Sequence, residues 1–227
     1  MSETPTAIVR QLRADERELA ATHSQVAALH RQAILRMLGT KPALGRAVER
    51  LAPGERDDVE ARIALSTLAK QYPPLRTRIR ITASPPAAKL LAWYREAQRR
   101  FGVRWQLLAA VNFVESAFGK LHNDCLCGAQ GAMLFMPATW RAYGLGGNIR
   151  DPHDAILGAA NYLSQNHGRT DERTALYYYN HSPLYVNAVL RYAHRIAHVR
   201  YAFAEYYAWK VYVRRISSAT RNARSSD

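Results

Sequence analysis

Apolar residues fall at helical spacing along almost the whole chain, and no stretch alternates long enough to predict a strand. Leu12, Leu19, Val26 and Ala33 recur every seven residues, with Ile8 and Leu29 beside them, so residues 4–38 predict one long helix. Asp15 and Thr22 interrupt that stripe. A helix packed on the main body fits it, with a short coiled coil or a helical hairpin as alternatives. "GTKP" at 39–42 breaks the pattern, and so does "PGERDD" at 53–58. A helix built on Val59, Ile63 and Leu68 then covers roughly 56–71.

"YPPLRTRIRITASPP" (72–86) holds four prolines among basic residues and predicts an extended linker. Beyond it Leu90, Tyr94, Ala97 and Phe101 form a stripe that stops at Gly102. The next helix, about 104–118, buries Leu107, Val111, Val114 and Phe118. Residues 119–137 predict a glycine-rich loop. In "DPHDAILGAANYL" Asp151 caps, Pro152 takes the first helical position and Asp154 sits three residues after the cap. Further helices follow at 171–180 and from Pro183 to about 215. The chain is therefore mainly α, divided as a helical region (1–71), a linker (72–86), a main domain (87–200) and a basic, aromatic tail (201–227).

With 48% hydrophobic residues the chain can build a packed core. Its net charge of +14 is spread out: 14 basic and 9 acidic residues in 1–85, 13 and 7 in 86–200, 5 and 2 in 201–227. That distribution makes a basic surface rather than a basic arm, suited to nucleic acid, anionic lipid or an acidic wall polymer. No apolar run approaches the ~18–20 residues of a membrane span, and the N-terminus shows no apolar export core. Cys125 and Cys127 stand one residue apart, a strained spacing for a bridge, and His122 alone is too little to complete a zinc site. Two plain thiols fit best, and no metal or cofactor is expected.

Glu115 ends the apolar run "NFVESAFGK" at the margin of the buried stripe. Partial burial and the negative end of its helix both disfavour the charged carboxylate, which suits a general acid. A glutamate on a helix rim is the plainer alternative, and the stretch alone does not decide.

Three ordered blocks do more: "VESAFG" (114–119), "GAQGAMLFMPATW" (128–140) and "ALYYYN" (175–180). Together they resemble the lytic transglycosylase catalytic domain, a lysozyme-like helical fold that cleaves peptidoglycan glycan strands. "YGLGGNIRDPHDAILGAANYL" is also similar to some members, and the resemblance spans about 87–196. It implies that Glu115 protonates the glycosidic oxygen between N-acetylmuramic acid and N-acetylglucosamine. The same carboxylate then takes the proton of the muramic 6-hydroxyl, which closes a 1,6-anhydro ring without water. One carboxylate suffices, unlike the usual pair. By the same resemblance Ser116 contacts substrate or intermediate, Tyr179 orients Glu115, and Asn180 supports the neighbouring sugar or the loop. Gly131, Met133 and Phe135 floor the saccharide groove, and Pro137 starts the helix behind it. The family's usual glutamine is here Leu134, which removes one polar contact.

Other readings stay open. Asp124 is a candidate second carboxylate for a hydrolytic, lysozyme-like or chitinase-like relative, whereas Asp151 and Asp154 are explained as helix-start residues. Leu134 and the helical extensions leave room for a non-catalytic wall-binding scaffold. His181 and His194 are surface histidines before they are bases. Tyr177, Tyr178 and Tyr179 cannot all face one site. Phe203, Tyr207 and Val211 either pack on the N-terminal helices or, with the tail's cations, meet a sugar, membrane or nucleic acid. Nucleic acid ranks last, for want of a reading motif. The expected partners are glycan strands and anionic wall polymers, and the expected location is outside the cytoplasm, although no signal peptide is visible.

Overall fold

The computed structural model describes residues 4–72, 80–121 and 128–211. His122, Asp124, Cys125 and Cys127 lie outside the described residues. Among the described residues the fold is helical without a sheet, and only two isolated bridges, Ile81 with Leu121 and Gln130 with Phe135, pair extended backbone.

The N-terminal stretch is a hairpin of two helices, α1 (Pro5–Thr22) and α2 (Gln25–Thr40), not one helix over 4–38. His23 takes a left-handed φ of 54° and Ser24 caps α2 by accepting from the Ala27 N–H. The Asp15 interruption in the apolar stripe has a physical reason. Asp15 is buried, accepts from Gln11 at 3.0 Å and pairs with His30 across the hairpin. Then come α3 (Pro42–Leu51), a short 3-10 turn (Pro53–Glu55) and α4 (Arg56–Ala69). Residues 80–86 run extended, and Thr82 donates its N–H to the Lys120 carbonyl.

The remaining helices are α5 (Ala87–Phe101), α6 (Trp105–Ser116), α7 (Pro137–Tyr143), α8 (Pro152–Gln165), α9 (Glu172–Tyr179), α10 (Pro183–His198) and α11 (Ala202–Ala208). Gly102 closes α5 in the left-handed conformation, Pro137 occupies the first turn of α7, and Asp151 caps α8 by accepting from the N–H groups of His153 and Asp154. The helix expected to run on from Pro183 to about 215 ends at His198, and α11 follows after a bend at 199–201. Phe203 meets the rings of Tyr94, Trp105 and Phe118, and Tyr206 stacks on Phe113, so α11 lies against α5 and α6 as well as α2.

One continuous apolar core runs from α1 to α11. Within it sits an ionic knot. Arg31 of α2 reaches Glu55 with two bonds (3.0 and 2.8 Å), Asp58 at 3.1 Å and Glu205 at 2.9 Å. Arg195 of α10 reaches Asp58 at 2.8 Å and Glu205 at 3.1 Å. All five groups are buried, and the Tyr206 hydroxyl donates to Asp58. Burial pushes the Asp58 carboxyl up to about 6, with Arg195 and Arg31 opposing and Glu205 reinforcing. The knot joins α2, α4, α10 and α11, and so fixes the N-terminal helices to the body that carries the candidate site.

Candidate active site

Glu115 lies in the last turn of α6. The helix stops at Ala117, which takes a left-handed φ of 51° and donates its N–H to Phe113. The carboxyl points inward to the first turn of α10, where the Tyr185 hydroxyl donates to Glu115 Oε1 at 2.6 Å. Burial pushes the Glu115 carboxyl up to about 7, against the opposing pull of the Tyr185 hydrogen bond. Burial and the nearby Glu115 in turn hold the Tyr185 hydroxyl well above the usual phenol range. The result is a carboxyl that keeps its proton to higher pH than an ordinary glutamate, with one oxygen held by a fixed donor.

Bonded to the end of α6 is the turn 130–135. Gln130 and Phe135 exchange backbone bonds of 2.8 and 2.9 Å, and Gly131 enters the turn at φ 76°. A Cβ on Gly131 would stand 1.9 Å from the Ile149 carbonyl oxygen, so only glycine fits there. The turn is tied to α6 by buried polar groups. Asn112 accepts from the Tyr94 hydroxyl at 2.6 Å and donates to the Ala132 carbonyl at 2.9 Å. Ser116 donates to the same carbonyl at 2.6 Å and accepts from the Gly119 N–H at 2.8 Å. The Tyr179 hydroxyl donates to the Met133 carbonyl at 2.6 Å.

Residues 93–198 match the family model of the transglycosylase SLT domain. Over this stretch, 106 of the 227 residues, the chain is similar to an SLT domain. No curated protein matches the chain, and no solved structure does. The domain's lysozyme-like helical fold accords with the sheet-free architecture above, and such a domain indicates a transglycosylase directed at peptidoglycan, working outside the cytoplasm. No described helix is long and apolar enough to cross a membrane.

Within this stretch the charge of Glu115 is felt at the Tyr179 hydroxyl, at the end of α9. The hydrogen bond that orients Glu115 nevertheless comes from Tyr185 and not from Tyr179, whose hydroxyl is engaged with Met133. Ser116 is fully buried and bonds the turn through the Ala132 carbonyl. Met133 and Phe135 are also buried, the Phe135 ring lying against Trp140 and Tyr179. Asn180 ends α9 and its carbonyl accepts from Ser182. Tyr177 and Tyr178 are exposed while Tyr179 packs on the core. His181 lies against the Tyr177 ring, and His194 bonds Asp57 at 2.6 Å, away from Glu115. Asp151 and Asp154 serve the start of α8, with Asp154 also accepting from the Asn148 N–H.

Two residues of this arrangement escaped the sequence reading. Tyr185 sits six residues after Tyr179, beyond the "ALYYYN" block, and its only signal was a tyrosine three positions after the Ser182 cap. Asn112 precedes Ser116 by one helical turn, a spacing that puts both on one face.

Proposed function

We propose that the chain cleaves peptidoglycan glycan strands non-hydrolytically, as a lytic transglycosylase with Glu115 as its single acid and base. The observation that carries this reading is the Glu115–Tyr185 pair, a half-buried carboxyl raised to about 7 with one oxygen engaged. Because Oε1 accepts from Tyr185, the acid proton resides on Oε2. Glu115 gives that proton to the glycosidic oxygen as the bond to the muramic anomeric carbon breaks. The carboxylate left behind then accepts the 6-hydroxyl proton as O6 bonds the same carbon, which closes the 1,6-anhydro ring and restores the acid. The turn 130–135, braced by Ser116, Asn112 and Tyr179, sets the wall of the groove, and the amide of Asn180 serves the adjoining sugar. Residues 1–71 act as a helical brace on the domain, joined through 72–86.

Purified peptidoglycan digested with the protein and analysed by mass spectrometry should yield 1,6-anhydromuramoyl ends, and Glu115→Gln should yield none. Reducing ends in their place would assign a hydrolase. Tight binding to the wall without any cleavage would assign a scaffold.

A further inference from the structure

Directly behind Glu115 the chain makes a turn that ordinary side chains resist. Ala117, Phe118 and Gly119 all hold left-handed backbone, with φ of 51°, 63° and 80°. Two of the three are not glycine, and each side chain in that region carries a steric cost. Such a run persists only where its surroundings hold it. Inside the turn the Gly119 N–H meets Ser116 Oγ at 2.8 Å, and the Leu121 N–H meets the Ser116 carbonyl at 2.9 Å.

Further support comes from outside residues 93–198. The Lys120 ammonium, at the end of the turn, donates to the carbonyls of Tyr207 and, at 2.7 Å, Trp209, which lie 87 and 89 residues further on. Both carbonyls stand at the C-terminal end of α11, where the helix itself supplies no donor, and the ammonium also lies 5.3 Å from the Tyr207 ring centroid. Burial pushes the Lys120 amine down to about 8. The Lys120 carbonyl accepts from the Thr82 N–H at 2.9 Å, and the Tyr207 hydroxyl donates to the Pro85 carbonyl at 3.0 Å, so the extended stretch 80–86 is fastened to both. Rings complete the grip. Phe113 and Phe118, two residues before and three after Glu115, stack on each other at 5.3 Å. Tyr206 and Trp209 lie against Phe113 at 5.0 and 5.6 Å, and Phe203 and Tyr207 against Phe118 at 5.4 and 6.1 Å. Four aromatic side chains of the tail therefore flank the end of the helix that carries the candidate acid.

We propose that the segment 201–209 sets the position of Glu115, with Lys120 as the positioning residue that fastens it. The catalytic consequence rests on Glu115 as the acid, whereas the effect on the carboxyl rests on this geometry alone. Releasing the fastening lets the left-handed turn relax and the carboxyl move toward water. Burial is what raises the Glu115 titration to about 7, so a released carboxyl falls back toward the ordinary 4.5. Burial and the Tyr185 hydrogen bond set that value, and the Lys120 charge does not enter it. The titratable groups that meet the Glu115 carboxyl are Tyr185 of α10 and Tyr179 of α9. A shift on losing Lys120 therefore reports position and not charge.

Carbon-13 NMR of the full chain, labelled in its glutamate carboxyls, follows the Glu115 titration, with Glu115→Gln identifying the signal. In Lys120→Met the midpoint should fall at least halfway from about 7 to 4.5, and the alkaline limb of wall-cleaving activity should move down with it. On peptidoglycan kcat should fall about tenfold while KM stays within about twofold, since the group displaced is the acid and not a sugar contact. Tyr207→Phe, which loses the hydroxyl bond to Pro85 and keeps the ring, is the second variant. Circular dichroism checks both folds, and the Tyr207→Phe midpoint should move the same way by less. An inactive parent would refute Glu115 as the acid and leave the midpoint to decide the fastening. A Glu115 midpoint unchanged in every variant that folds would overturn the proposal, whatever the activity.

Discussion

Tyr185 donates its hydroxyl to Glu115 Oε1 at 2.6 Å across a separation of 70 residues. This bond joins the last turn of α6 to the first turn of α10 and works against the burial that raises the Glu115 carboxyl. Removing the donor withdraws support from the carboxylate form, so Tyr185→Phe should move the Glu115 titration above its value of about 7. In the proposed reaction the acid must be protonated, so activity declines as pH rises through the same value. In Tyr185→Phe that alkaline limb should shift to higher pH while kcat falls about tenfold or more, for loss of orientation. A pH profile of the variant that overlays the parent profile would remove Tyr185 from the mechanism.

The raised carboxyl also has a cost in stability. A folded-state value of about 7 against an ordinary 4.5 means that the folded protein holds this proton more tightly than the unfolded chain. The Glu115 contribution therefore becomes destabilising as pH rises from about 4.5 to 7 and levels off above. Glu115→Gln should be more stable than the parent at pH 8 by about 2 kcal/mol, allowing for the residue's remaining exposure, with the difference shrinking toward pH 4.5. Urea denaturation at the two pH values measures it, and a gap that is independent of pH would contradict the assignment.

The parts of this site that were legible in the sequence are those with a local cause. Asp151 and Pro152 start α8 and Gly102 stops α5, because capping chemistry acts within a few residues. The raised Glu115 followed from its place on the helix margin. The identity of its partner did not, because a hydrogen bond over 70 residues leaves no periodic trace and the "ALYYYN" block pointed to Tyr179. The break at His23 was also hidden: the seven-residue repeat passes through it, since Asp15 finds its partner His30 only after the chain has folded back. The Arg31 knot, with partners 24 to 174 residues away, is a purely tertiary feature.

That knot predicts where the extension matters. Arg31 answers Glu55, Asp58 and Glu205, all buried, and Arg195 alone cannot neutralise three carboxylates. Arg31→Met should therefore destabilise the whole protein by about 3–5 kcal/mol, the cost of leaving buried charge unpaired. Denaturant unfolding should show one transition displaced as a unit, since the knot ties α2 and α4 to α10 and α11. A loss below about 1 kcal/mol would mean that apolar packing alone holds the extension in place.

Gly131 makes a narrower prediction. Its φ of 76° disfavours any side chain, and a methyl group would collide with the Ile149 carbonyl oxygen. That oxygen is backbone and cannot swing aside. Gly131→Ala should push the turn 130–135 off the 149–150 segment and cost about 2 kcal/mol or more in stability, with wall-cleaving activity falling further than stability does. Gly146→Ala is the control, because it shares a positive φ (78°) but meets nothing within 4 Å.

Leu134 occupies the same turn at φ 47°, partly exposed, where the family resemblance leads one to expect glutamine. Its backbone N–H is held by the Gly131 carbonyl at 3.1 Å, so the conformation belongs to the turn and not to the side chain. Leu134 stands outside the apolar core that buries its neighbours Met133 and Phe135. Replacing it by glutamine therefore removes little packing and adds an amide beside the groove. Leu134→Gln should leave stability within about 0.5 kcal/mol of the parent. If an amide at this position bonds the sugar in the transition state, kcat/KM on peptidoglycan should rise several-fold, with the gain in kcat, because an interaction formed equally with bound substrate would appear in KM alone. Unchanged kinetics would mean that the leucine costs the enzyme nothing and that the groove finds its polar contact elsewhere.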